Sequence, residues 1–253
     1  MFAVGGLSTE AGAQSEESEV IETDLVRVTV PTTAETDQRF IEELARNGEM
    51  YARSINPALR DETGNALNST EVFGVDRRGN TVEVNRRLET SASTLDSTLT
   101  VTVPEGIPGT VIDHTVENIG DEPVELNTPD NFIGTDIALG QSELDSPGDE
   151  YRFSVQGGDP ISYDDVIRWE TFDLPEPRAW ATSFDDERAV TYGLDGPSSA
   201  SDPKLAMIEG TPPDKVPLFG ALVILEPGES VTWQTAAVAH DGGDGAPARG
   251  GNL

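Results

Sequence analysis

With 253 residues, 47 Asp and Glu against 16 Lys and Arg, and a formal charge of −31 at pH 7, the chain offers no basic patch that could replace the counterions of a nucleic acid. Cysteine is absent, which removes disulfides, thiolate metal centres and cysteine nucleophiles, and no apolar run approaches the ~20 residues of a membrane-spanning helix. Hydrophobic residues at 36%, taken with 25 glycines, still bring the apolar fraction near the ~45–50% of soluble domains, so a core can form.

The acids are scattered between candidate strands instead of being gathered in a tail, and Lys204 and Lys215 are the only lysines. Self-repulsion on this scale weakens a compact state in dilute buffer. At molar salt the Debye length falls to ~3 Å and the same surface becomes tolerable and soluble. The composition therefore reads as adaptation to high salt.

Residues 1–18 form a polar leader. A short apolar stretch at 2–7 and the triplet Ala11-Gly12-Ala13 resemble the end of a secretory signal, although no basic residue precedes Arg27. The expected location is extracellular or at the cell surface, the alternative being the cytoplasm of a salt-accumulating cell. Residues 20–30 predict a first strand, stopped by Pro31. The next segment supports two readings. Phe40, Ile41, Leu44 and Ala45 fall on one helical stripe with Asn47-Gly48 as a C-cap, but residues 39–52 also read as two strands around Asn47-Gly48, a strong hairpin dipeptide.

A loop over 55–68 leads into a hairpin, 71–75 and 81–84, turned at Arg77-Arg78-Gly79-Asn80. Residues 98–127 then predict a meander of three consecutive strands, punctuated by Pro104-Glu105-Gly106 and by Asn118-Ile119-Gly120-Asp121-Glu122-Pro123. Further strands are expected over 132–139, 151–155, 166–174, 178–184 and 189–194, with a polar loop at 142–150. A long hairpin, 216–225 and 230–239, is followed by a Gly-rich tail over 241–253 that has no reason to pack. About a dozen strands with at most one short helix predict an all-β fold, a large antiparallel β-sandwich in one domain over 19–240.

Three stretches together resemble the galactose-mutarotase-like β-supersandwich group. RFIEELARNGEMYAR (39–53) is similar to its early hairpin, VIDHTVENIGDEPVELN (111–127) to its mid-chain hairpin, and ILEPGESVTWQTAAVAH (224–240) to its closing strand pair. The resemblance spans most of residues 20–240, implies a supersandwich, and favours the hairpin over the helix at 39–52. Mutarotases work with a histidine acid, a second histidine and a glutamate base, the first histidine following the mid-chain hairpin. Here that region reads TPDNFIGTDIALG, without histidine, so the catalytic pattern does not carry over. The resemblance implies a degenerate or non-catalytic carbohydrate-binding domain.

The chain contains two histidines, His114 and His240. His114 shares a strand face with Ile112 and Val116, which fits a half-buried, hydrogen-bonded histidine better than a proton shuttle. Among 47 acids some pair will always look suitable for glycoside hydrolysis, so adjacency such as Asp164-Asp165 carries no weight. Residues 145–150 are acidic but lack EF-hand spacing, so no metal and no cofactor is expected. The informative side chains are aromatic, because sugars stack on them. Trp169 beside Arg168, and Trp180 near Arg178, are expected on neighbouring strands; with His114 they are the candidate ligand-binding residues, and carbohydrate is the candidate partner. Two other readings stand: a structural β-sandwich of a cell envelope or virion that self-associates, and an enzyme using carboxylates alone.

Overall fold

The computed structural model describes residues 18–34, 41, 43–57, 67–126, 135–139, 152–155, 159–162, 169–173, 178–196, 199–209 and 215–243. Among them no helix occurs, and every strand pairing is antiparallel. The strands are β1 (Ser18–Glu22), β2 (Arg27–Pro31), β3 (Glu43–Arg46), β4 (Glu49–Pro57), β5 (Asn68–Arg78) and β6 (Thr81–Glu89). Then come β7 (Thr94–Thr102), β8 (Gly109–Asn118), β9 (Val124–Leu126), β10 (Thr135–Leu139), β11 (Arg152–Val155) and β12 (Ile161–Ser162). The last six are β13 (Trp169–Asp173), β14 (Arg178–Phe184), β15 (Arg188–Asp195), β16 (Ser201–Glu209), β17 (Lys215–Leu225) and β18 (Ser230–Asp241).

A nine-stranded sheet runs β12-β11-β14-β15-β18-β8-β7-β6-β5. Opposite it lie a five-stranded sheet, β1-β2-β3-β4-β10, and a four-stranded one, β13-β16-β17-β9. β10 runs beside β17, while β1 touches β6, β3 touches β18 and β4 touches β15. Alternation builds the interior. Along β6 the buried positions are Val82, Val84, Arg86 and Leu88, and along β7 Leu95, Ser97, Leu99 and Val101. One core cluster joins these valines to Val28, Val30, Leu44, Val190 and Tyr192; a second gathers Leu88, Leu95, Val116 and Trp233 against Val124 and Val223.

The two readings at 39–52 resolve as the hairpin. Asn47 (φ 56°) and Gly48 (φ 79°) both take left-handed dihedrals, as a two-residue type I′ turn requires, and join β3 to β4. A register shift between Leu44 and Ala45 puts both side chains in the interior, and this bulge is what imitates a helical stripe.

Four expectations need correction. Residues 20–30 form two strands, because Thr23 Oγ1 caps a turn by accepting from the Leu25 and Val26 N–H groups and donating to the Val26 carbonyl. The loop expected over 55–68 is narrower at both ends, since β4 extends through Pro57 and β5 begins at Asn68. The tail starts later: β18 runs to Asp241, and the Gly242 and Gly243 N–H groups donate to the carbonyls of Glu187 and Asp185. The meander is real only for β7 and β8; β9 leaves the sheet and pairs with β17. The polar loop at 142–150 and the expected leader at 1–18, apart from Ser18, which opens β1, lie outside the described residues.

The departure at the end of β8 is built on Asn118, which is completely buried. Its Nδ2 donates to the carbonyls of Glu122 (2.8 Å) and Leu225 (3.0 Å), and its Oδ1 accepts from Ser93 Oγ (2.8 Å) and the Gly120 N–H (3.1 Å). All four hydrogen-bonding places of the amide are filled. The side chain thus ties the crossover to both layers.

Candidate functional site

The nine-stranded sheet has two faces of different chemistry, and the predicted site residues divide between them. On the inner face His114 lies in β8 between Ile112 and Val116, as its phase predicts, and is buried. Its Nε2 is 2.8 Å from Ser97 Oγ on β7, and its ring centroid is 5.7 Å from that of Trp233, its cross-strand partner on β18. Arg86 on β6 stands opposite Ser97 and is also buried; its Nη2 donates to the Pro31 carbonyl at 2.9 Å, bridging the layers.

This polar cluster has a fixed charge state. Burial, aided by the Arg86 charge, pushes the His114 imidazole down to about 3, while burial lowers Arg86 only to about 10. At neutral pH the imidazole is neutral and the guanidinium charged. His114 therefore has no imidazolium proton to give as a general acid there.

His240 projects from the opposite face. Its Nδ1 is 3.1 Å from the Asp241 carbonyl, which can only accept, so Nδ1 carries the proton and Nε2 accepts from Thr191 Oγ1 at 2.8 Å. Thr191 in turn accepts from Thr182 Oγ1 at 2.7 Å. The chain of hydroxyls ties β14, β15 and β18 together. With His114 inside and His240 outside, the two imidazoles cannot share a substrate.

On the outer face Arg178 and Trp180 are brought together, two residues apart on β14. Arg178 makes a bidentate pair with Asp195 on β15, Nε to Oδ1 at 3.1 Å and Nη2 to Oδ2 at 2.8 Å. Trp180 is half-buried opposite Gly193. Trp169 is not its neighbour: β13 belongs to the four-stranded sheet and β14 to the nine-stranded one, where neighbouring strands were expected. Arg168 lies outside the described residues.

Where burial is described no Asp or Glu is buried, and among the described residues no group of three or more His, Asp or Glu could hold a metal ion. An open pocket of about 370 Å³ lies between the β1–β2 turn and the β3–β4 turn, with Glu22, Asp24, Arg27 and Glu43 on its walls. Arg86, Ser97 and Trp233 were missed as partners of His114, although the phase of Arg86 with Val82 and Val84 was a usable signal.

No protein-family profile matches the sequence, and no curated protein is similar to it at the sequence level. Solved structures do resemble it. A galactose mutarotase-like protein from Lactobacillus casei superposes with a TM-score of 0.59 at 12% identity, over 88% of this chain and 100% of that one. The fold is galactose-mutarotase-like. A candidate aldose 1-epimerase from Klebsiella pneumoniae gives 0.57 at 8% identity, over 91% of this chain and 80% of that one. The α-galactosidase from Lactobacillus brevis gives 0.55 at 10% identity; this chain, covered over 89%, corresponds to 40% of that enzyme.

Proposed function

We propose that this chain is a non-catalytic carbohydrate-binding supersandwich of a halophile, working in molar salt outside the cell or at its surface. The observation that carries the non-catalytic half is the placement of the two histidines on opposite faces, one of them buried and held neutral. A mutarotase-like framework whose imidazoles cannot meet has no pair with which to open and close a sugar ring. The carbohydrate half is supported by the company the fold keeps, among a mutarotase-like protein, a candidate epimerase and an α-galactosidase. The saline half is supported by the charge of −31. Self-association through the β5 edge is disfavoured, since two register shifts and a run of charged side chains interrupt that strand.

Two assays on one preparation in 2 M KCl test the proposal: polarimetry of freshly dissolved galactose and glucose, and binding to a panel of neutral and acidic polysaccharides. The expected result is binding to at least one glycan with no acceleration of anomer interconversion. Catalysis of interconversion would defeat the non-catalytic reading, and failure to bind any glycan would defeat the carbohydrate reading.

A further inference from the structure

We infer that the outer face of the nine-stranded sheet at β14, β15, β18 and β8 is a glycan-binding platform centred on Trp180; this rests on the carbohydrate reading above and names its site. Register places the residues. Trp180, Gly193, Ala236 and Val111 form one row across four adjacent strands, and Arg178, Asp195, Gln234 and Asp113 form the next. The rows are two residues apart, about 7 Å along the strands, and each step between strands is about 4.8 Å.

The first row breaks the pattern of the face. Every outward position of β6 and β7 is polar, from Thr81 to Glu89 and from Thr94 to Thr102, as a solvated sheet on a chain of charge −31 should be. From β8 to β14 the same face presents Val111, Ala236 and Gly193, all partly exposed, ending at the half-buried Trp180; the next row on β14 and β15, Thr182 and Thr191, is completely buried and closes that side. With no side chain on Gly193 and only a methyl on Ala236, the floor beside the indole stays low over two strand spacings, about 10 Å. A row of small apolar residues beside an aromatic one is the kind of surface on which the C–H face of a pyranose stacks.

The second row supplies hydroxyl partners. Arg178 is held by both Asp195 oxygens, and Gln234 Nε2 donates to Asp113 Oδ1 at 2.8 Å. These pairs are exposed and already oriented, so donors and acceptors alternate along the row without rearrangement. The chemistry selects a neutral glycan chain. An anionic one would meet Asp113 and Asp195 on a strongly acidic protein.

The test uses the full chain in 2 M KCl with galactomannan and the neutral β-glucan laminarin as probes, read by affinity electrophoresis and by tryptophan fluorescence. Trp180→Ala should weaken binding at least tenfold and abolish the fluorescence change, and Arg178→Gln several-fold, the latter keeping the test valid if the tryptophan variant does not fold. Phe73→Ser, which removes an exposed aromatic far along the sheet on β5, should bind as the parent does. Parent-like affinity in both Trp180→Ala and Arg178→Gln would overturn the platform and leave the carbohydrate reading intact. Failure of the unaltered protein to bind either probe overturns the platform, and the wider glycan panel then decides the carbohydrate reading.

Discussion

The neutral, buried imidazole of His114 makes stability depend on pH in a calculable way. The folded state holds this group at about 3 whereas an unfolded chain titrates near the ordinary histidine value of 6.5, so between those values the unfolded state binds the extra proton. A depressed histidine contributes stability that is complete above about pH 6.5 and is lost as pH falls toward 3. By linkage the loss is about 2 kcal/mol at pH 5 and approaches about 5 kcal/mol below pH 3. The measurement is urea unfolding at pH 8, 6.5 and 5 in constant 2 M KCl, which screens the carboxylates so that their own titration contributes little. His114→Gln keeps a side chain able to reach Ser97 Oγ but cannot titrate. It should start less stable at pH 8 and then lose about 2 kcal/mol less than the parent on going to pH 5. Parallel stability curves for the two proteins over that range would refute the buried, neutral assignment.

Other expectations follow from the corner and the close approaches. Asn118→Ala removes the groups that satisfy the Ser93 hydroxyl and the Leu225 carbonyl in the crossover and should cost about 3 kcal/mol in urea unfolding. Gly109→Ala would drive a methyl into the Ala237 carbonyl on β18, so a loss of about 1–3 kcal/mol is expected from the same measurement. Melting temperature should rise by more than about 5 °C, or roughly 2 kcal/mol, between dilute buffer and molar KCl at pH 7. Equal melting in the two buffers would remove the high-salt explanation of the charge.

Local chemistry was legible wherever one residue type dictates one geometry. Asn47-Gly48 specifies a type I′ hairpin whatever surrounds it, and the alternation at 82–88 and 95–101 assigns the inner face of β6 and β7 without knowledge of their partners. Reading failed where the deciding partner is distant in sequence. The turn after Asn118 looks like a hairpin because Gly120 and Pro123 suit one, but the Leu225 carbonyl, far along the chain, captures the amide and sends β9 to the other sheet. β16 escaped notice because Pro203 and Lys204 interrupt its apolar pattern, at the place where its register with β17 shifts.

The candidate site shows the same limit more sharply. Trp180 and Arg178 could be selected from sequence, being aromatic and cationic at spacing two on one strand, which places them on one face. Their usefulness depends on what stands beside them, and that is set by the pairing of β14 with β15, β15 with β18 and β18 with β8. A slip of one residue in the β15–β18 register would exchange Ala236 and Gln234 for Thr235 and Trp233, burying the apolar row and exposing the core. The inner valine and tyrosine that pin this register, Val190 and Tyr192 against Ala239 and Ala237, therefore fix the outer platform as well. Packing on one face of the sheet is what gives the other face a defined surface to offer a ligand.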